Sequence, residues 1–167
     1  MVINYSKGGS ISDILKLVTS IKEFYYYQLI LVVGPSKSGK TYVLKEISKK
    51  LSVPIINLNL ELSKHLLKIP KSTRILHLPE IVEEICRKYK DIVLLDNTEL
   101  LFEPTLKQHP LELLKKLSRK RTVIATWNGK IKDNLLLYAT PEHPSFKSCF
   151  LIPGEFLIVL LSKEESL

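Results

Sequence analysis

Between an almost unbroken apolar run, Leu29-Ile-Leu-Val-Val33, and a stretch of helical periodicity from Lys40 to Leu51, the chain carries Gly34-Pro-Ser-Lys-Ser-Gly39-Lys40-Thr41. A continuous apolar run of that length suits a central parallel strand covered on both faces. Apolar residues at 43, 44, 47 and 51, with lysines between them, give the following segment one buried side. The glycines allow a tight curl of backbone and a close approach of main chain to a ligand. The order strand, glycine loop, helix therefore limits the chain to folds that contain a parallel β–loop–α unit.

The rest of the chain repeats that alternation. Apolar residues at 11, 14, 15, 17, 18 and 21 predict an amphipathic lead-in helix over 10–23, with Ser10 as its N-cap. Val53 to Leu58 reads as a second strand, followed by a short helix near Leu60 to Leu67 that ends before Pro70. Leu78 to Tyr89 reads as a helix with Pro79 in its first turn. Asp91 to Asp96 is a third buried strand, Pro110 to Leu117 a helix, Thr122 to Trp127 a fourth strand ending at Asn128-Gly129, and Phe156 to Leu161 the last strand. Residues 130–154, with prolines at 141, 144 and 153, form a β-rich or looped excursion. No repeat or linker divides the 167 residues, which predict a single α/β domain: a parallel β-sheet sandwiched by helices, its core over about 28–161.

The glycine segment matches G-x-x-x-x-G-K-[ST] without a gap. Backbone N–H groups of such a loop curl around a phosphate, and the helix dipole beyond it favours anions. The nucleotide-binding set is Gly34, Pro35, Ser36, Lys37, Ser38, Gly39, Lys40, Thr41 and the adjoining Tyr42, with Lys40 directed to the β and γ phosphates of ATP and the Thr41 hydroxyl to magnesium. Asp96 closes a hydrophobic strand at the end where open α/β sheets gather ligands, and is the second candidate magnesium residue. Hydrolysis needs a group that orients or deprotonates water. Glu99 is the candidate, with a role at a helix dipole as its ordinary alternative. Asn128, after the fourth strand, is a candidate polar partner of the γ-phosphate, against the plainer reading of an Asn-Gly turn.

The net charge of +8 comes from 21 lysines and four arginines against 17 acids, a balance that favours acidic partners such as nucleic acid. Lys115, Lys116, Arg119, Lys120 and Arg121 concentrate it after a helix, where they either complement the helix dipole in solvent or contact DNA. Cys86 and Cys149 lack metal or redox spacing and read as reduced core thiols, and the four histidines form no ligand pair, so no transition metal is expected. No apolar run approaches the ~18 residues of a membrane span, and the N-terminus lacks the pattern of a secretory signal, so no membrane partner and a cytoplasmic location are expected.

The segments Gly34-Pro-Ser-Lys-Ser-Gly-Lys-Thr41, Leu-Leu-Asp96-Asn97 and Ala-Thr-Trp-Asn128-Gly, in this order, resemble the core of AAA+ and related additional-strand P-loop ATPases. The resemblance implies Walker A and Walker B elements, with Asn128 as the sensor residue. Many such ATPases carry a glutamate where this chain has Asn97, which weighs against fast hydrolysis. With few residues after the last strand, the helical lid usual in AAA+ proteins is not expected, and no arginine lies between the fourth and fifth strands to act as a finger. More narrowly, Asp96-Asn-Thr-Glu99-Leu-Leu-Phe and Tyr138-Ala-Thr-Pro-Glu-His-Pro resemble the BrxF family, small standalone P-loop ATPases of type 3 BREX phage-defence systems. That resemblance implies a regulatory ATPase working with protein partners of a DNA-associated defence complex, its oligomeric state left open. Two other readings are a nucleotide-dependent switch with negligible hydrolysis and a small-molecule kinase.

Overall fold

The computed structural model describes residues 1–5 and 10–161. In chain order the elements are β1 (Val2–Tyr5), α1 (Ile11–Phe24), β2 (Leu29–Gly34), α2 (Lys40–Leu51), β3 (Ile55–Asn57), α3 (Leu58–Leu66), α4 (Arg74–Arg87), β4 (Ile92–Asp96), α5 (Pro110–Leu117), β5 (Thr122–Lys132), β6 (Leu135–Tyr138), β7 (Lys147–Phe150) and β8 (Leu157–Leu161). Short 3-10 turns lie at Lys71–Thr73, Glu99–Phe102 and Pro104–Leu106.

Six strands pair in parallel in the order β1-β8-β2-β5-β4-β3, so the fold is α/β, a mostly parallel sheet flanked by helices. Every residue of β2 is buried because the strand serves two cores. Leu29, Leu31 and Val33 face a layer built on α3, α4 and α5, while Ile30 and Val32 face α1 and α2. Alternate side chains of a strand point to opposite faces, so a strand covered on both sides must be apolar throughout. On the second face, α1 contributes Ile14, Val18 and Ile21, each under 5% exposed. Burying three such side chains stabilises the docked helix by roughly 5–9 kcal/mol before entropy is counted. The predicted lead-in helix is present, and the Ser10 Oγ accepts from the Ser12 N–H at 3.1 Å as its cap.

Three elements differ from the sequence reading. A strand not anticipated, β1, extends the sheet beyond β8, with Val2 opposite Ile158. The fourth helix begins at Arg74 rather than Leu78, so Pro79 stands inside it. Proline has no N–H to offer the carbonyl four residues back, which is that of Ile75. Gln108 supplies the donor instead, its Nε2 bonding Ile75 O at 3.0 Å and Leu106 O at 2.7 Å. The side chain of another loop thus lets the helix run through its proline.

The third difference concerns Asn128-Gly129, which is no turn. β5 continues through it to Lys132, turns at Asp133-Asn134, and returns as β6 with Gly129 opposite Tyr138; β7 then pairs with β6. Asp133 and Asn134 have φ of 50° and 62°, left-handed backbone that Asp and Asn tolerate and that suits a tight hairpin. Gly129 serves close approach: a Cβ there would collide with the carbonyl of Leu137, which also accepts the Trp127 Nε1–H at 3.0 Å. The excursion over 130–154 is therefore β-rich. Phe102 stacks on Tyr138 with ring centroids 3.4 Å apart, and Trp127 meets Phe102 edge-on, so an aromatic group roots the hairpin beside β4 and β5. Cys86 is buried in α4, where burial pushes its thiol up to about 12, and Cys149 is half-buried in β7. Among the described residues no helix is long and apolar enough to cross a membrane.

Candidate functional site

The parallel strands bring three polar residues and the first glycine of the loop to one end of the sheet. Gly34 at the end of β2 lies opposite Asn128 of β5, and Asn57 at the end of β3 lies opposite Asp96 at the end of β4. Around them opens a cleft of about 380 Å³ lined by the 36–41 loop together with Asp96, Asn97, Glu99, Thr126 and Asn128. A depression of about 420 Å³ at the edge strand β3, between α3 and α4, holds none of the loop residues and is set apart from this chemistry.

The loop is shaped by two left-handed residues, Lys37 (φ 63°) and Gly39 (φ 96°). Gly34 leaves little room for a side chain: a Cβ would displace Ser38 Oγ and come within 3.1 Å of the Leu161 carbonyl oxygen. Lys40 begins α2 and is only 8% exposed. Its Nζ folds back to donate to Gly34 O at 3.0 Å and Pro35 O at 2.6 Å. Burial lowers the pKa of this ammonium, while Glu99 and Asp96 partly hold it up. Ser38 Oγ, also buried, has no hydrogen-bond partner among the described residues. Such orphaned groups are rare in protein interiors, and donors in a loop at a helix N-terminus suit an anion. Gly34 and Pro35 form the floor that holds the lysine, and Tyr42 lies 60% exposed on α2, away from the cleft lining.

Asp96 is 8% exposed and fully engaged. One carboxylate oxygen accepts from Thr126 Oγ1 at 3.0 Å and from the Asn97 N–H at 3.0 Å, and the other from Thr41 Oγ1 at 2.8 Å. Thr41 and Asp96, 55 residues apart in sequence, therefore present adjacent oxygens at the mouth of the loop. Small hard cations take oxygen ligands of this kind, so the pair fits magnesium bound together with phosphate oxygens.

After Asp96 the chain turns sharply at Asn97, with φ 52°, and enters the 3-10 turn that begins at Glu99. The turn carries Glu99 back over the cleft, where two amides hold its carboxylate. Asn128 Nδ2 donates to Oε1 at 2.7 Å and Asn59 Nδ2 to Oε2 at 2.9 Å. Asn59 also accepts the Leu100 N–H at 2.8 Å through its side chain, and its own N–H donates to Asn97 O at 2.9 Å.

All the sequence-derived nucleotide, metal and catalytic candidates except Tyr42 thus converge on one cleft or its floor. Sequence reasoning missed Thr126 and Asn59. Thr126 could have been found, because it lies two residues before Asn128 on one strand and so shares its face. Asn59 follows the end of β3, the sheet end where ligands gather, but nothing in its spacing to Glu99 announces the contact.

The basic cluster lies at the opposite end of β5 and divides. Lys115 is buried between Glu155 at 2.7 Å and Glu112 at 3.1 Å, and Arg121 is buried against Glu83 at 2.8 Å. Lys116, Arg119 and Lys120 are exposed. Comparison with protein-family models, curated proteins and solved structures finds no match for the chain.

Proposed function

We propose that this chain is a P-loop ATPase of the additional-strand class, binding ATP with magnesium through residues 34–41 and Asp96 and hydrolysing it with Glu99. The observation that carries the reading is the glutamate held by two amides across the cleft from a loop that matches the phosphate-binding motif. The position of β5 between the loop strand β2 and the acid strand β4 agrees with the additional-strand order.

In this mechanism Lys40 exchanges its loop carbonyls for phosphate oxygens, and its burial strengthens the interaction with a polyanion. Loop N–H groups and Ser38 bind the same anion. Thr41 and Asp96 would hold magnesium, which would supply charge neutralisation for the phosphates. Glu99 accepts a proton from water as the water oxygen bonds to the γ phosphorus and the bond to the β-phosphate oxygen breaks, releasing ADP and phosphate. Asn59 and Asn128 fix the carboxylate for that transfer, and Asn128 faces the γ-phosphate. The sharp turn at Asn97 explains how the base stands three residues beyond Asp96 rather than beside it. None of the four arginines lines the cleft, so an arginine that speeds turnover would have to come from another protein.

We further place this ATPase as a regulatory subunit of a DNA-associated, BREX-like defence assembly, on the resemblance to the BrxF family. The two segments that carry it are packed on each other through the Phe102–Tyr138 stack, which supports treating them as one feature. The test is phosphate release from ATP with magnesium by the purified protein. Release that Glu99→Gln abolishes while ATP binding persists is the expected result. Binding without release from the wild-type protein would replace the enzyme with a nucleotide switch, and transfer to a nucleoside monophosphate would replace it with a kinase.

A further inference from the structure

Three helices run back along the sheet and end on the face opposite the cleft, where β2, β4 and β5 begin. The connections over 24–28, 88–91 and 118–121 lie side by side there. Gln28 N–H donates to Ser118 O at 3.3 Å, Val123 N–H to Gln28 O at 2.8 Å and Thr122 N–H to Asp91 O at 2.8 Å. A strand of six residues separates this face from the phosphate loop by roughly 20 Å.

Two aromatic rings stand out of this face, Phe24 at 72% and Tyr26 at 67% exposed. Tyr26 is nonetheless fixed in place. Tyr27 meets it edge-on with centroids 4.7 Å apart, Arg119 Nη2 donates to its hydroxyl at 2.8 Å, and the Arg119 guanidinium carbon lies 5.7 Å from the ring centre. Tyr27 is anchored in turn by the buried ammonium of Lys115, 5.5 Å from its ring centre. An exposed ring held this firmly has already lost the rotamer freedom that binding would otherwise cost.

The charge around the rings is positive. The buried cations Lys115 and Arg121 take up Glu112, Glu155 and Glu83, leaving Lys116, Arg119 and Lys120 exposed beside them; Lys22 is exposed in the last turn of α1, and Lys120 also lies 3.6 Å from Glu83. Glu23, in the last turn of α1, and Asp91 are exposed acids near these connections, and Lys88 and Lys90 flank Asp91 in sequence.

We propose that this face binds single-stranded nucleic acid, its bases stacking on Tyr26 and Phe24 and its phosphates pairing with Lys116, Arg119 and Lys120. Open aromatic platforms beside cations are how unpaired strands are bound without sequence preference. A duplex hides its base faces and is read by a helix or ribbon entering a groove, and this face offers only helix ends and short connections. The proposal deepens the DNA-associated reading but rests on the rings and cations of this face, independent of the nucleotide cleft.

Fluorescence anisotropy with a labelled oligothymidylate of about 15 nucleotides, without ATP, tests it. The expected result is saturable binding that Tyr26→Ala and Phe24→Ala each weaken roughly tenfold or more, with Tyr26→Phe close to wild type. Lys116→Glu together with Lys120→Glu should flatten the dependence of log affinity on log salt by about 1.4, the value for two strand phosphates. Tyr26→Ala should leave ATP uptake unchanged, so failure here and failure of the nucleotide reading are separable. The proposal is overturned if the oligonucleotide does not bind, if the aromatic substitutions leave its affinity unaltered, or if a duplex of the same length binds more tightly than the strand. Uptake by vesicles of mixed phosphatidylcholine and phosphatidylserine through these residues, in preference to the strand, would also overturn it.

Discussion

Asn59 makes two contacts that can be separated by choice of substitution. Its Nδ2 donates to Glu99 at 2.9 Å, and its Oδ1 accepts the Leu100 N–H at 2.8 Å. Asn59→Asp keeps the acceptor for Leu100 but replaces the donor with a second carboxylate against Glu99. Asn59→Ala removes both. A hydrogen bond to a charged group is worth about 1.5–3 kcal/mol, which as lost orientation of the base corresponds to a fall in kcat of roughly 10- to 150-fold. The alanine variant should lose activity in that range, and also some stability, since Leu100 N–H loses its partner. A loss of about 1–2 kcal/mol lowers Tm by roughly 2–8 °C for a domain of this size. The aspartate variant should melt nearer to wild type yet hydrolyse more slowly than the alanine variant, because repulsion displaces the carboxylate. Steady-state phosphate release at saturating ATP, with calorimetric ATP affinity measured alongside, reads both effects. Wild-type turnover in Asn59→Asp would refute the role given to the Glu99 clamp.

Gln108→Ala should strip the Ile75 carbonyl of the donor that Pro79 cannot provide, lowering stability by about 1–3 kcal/mol in urea unfolding; adding Pro79→Ala, which restores an N–H, should recover part of that loss. At Glu83, burial works to raise the carboxyl pKa, but the hydrogen bond and charge of Arg121, with Lys120, outweigh it and hold the carboxyl below the ordinary glutamate range. A carboxyl depressed in the fold contributes stability that is present above the unfolded pKa and lost as pH falls through the folded one. Glu83→Gln should therefore be less stable than wild type near pH 7, with the gap closing below about pH 4, and a gap constant across that range in urea midpoints would count against the pair.

The sequence-to-structure agreement is closest where local chemistry and burial point the same way. The loop of residues 34–41 follows a strand that must be apolar on both faces, and α5 begins at Pro110, a residue suited to a first helical turn. The Ser10 cap and the helix behind it were legible for the same reason. Where a residue's role is set by a distant neighbour, local rules mislead. Pro79 signals a helix start unless Gln108 stands ready to replace its missing donor. Asn128-Gly129 signals a turn unless Leu137 lies close against the glycine and Glu99 waits for the amide. The cationic run 115–121 reads as surface until Glu83 and Glu155 take two of its members inward. Glu99 is the clearest case at the site: the turn at Asn97 and the clamp by Asn59 fix its carboxylate over the cleft, and both depend on contacts across the fold.

The central claim is that the 34–41 loop and the buried Lys40 ammonium bind a nucleoside triphosphate. Isothermal titration of the wild-type protein and Lys40→Ala with a non-hydrolysable ATP analogue and magnesium tests it most directly. Saturable, magnesium-dependent uptake by the wild type that is lost in Lys40→Ala, with the fold intact by circular dichroism, is the predicted result. No uptake by the folded wild-type protein, or equal affinity in the variant, would contradict the claim.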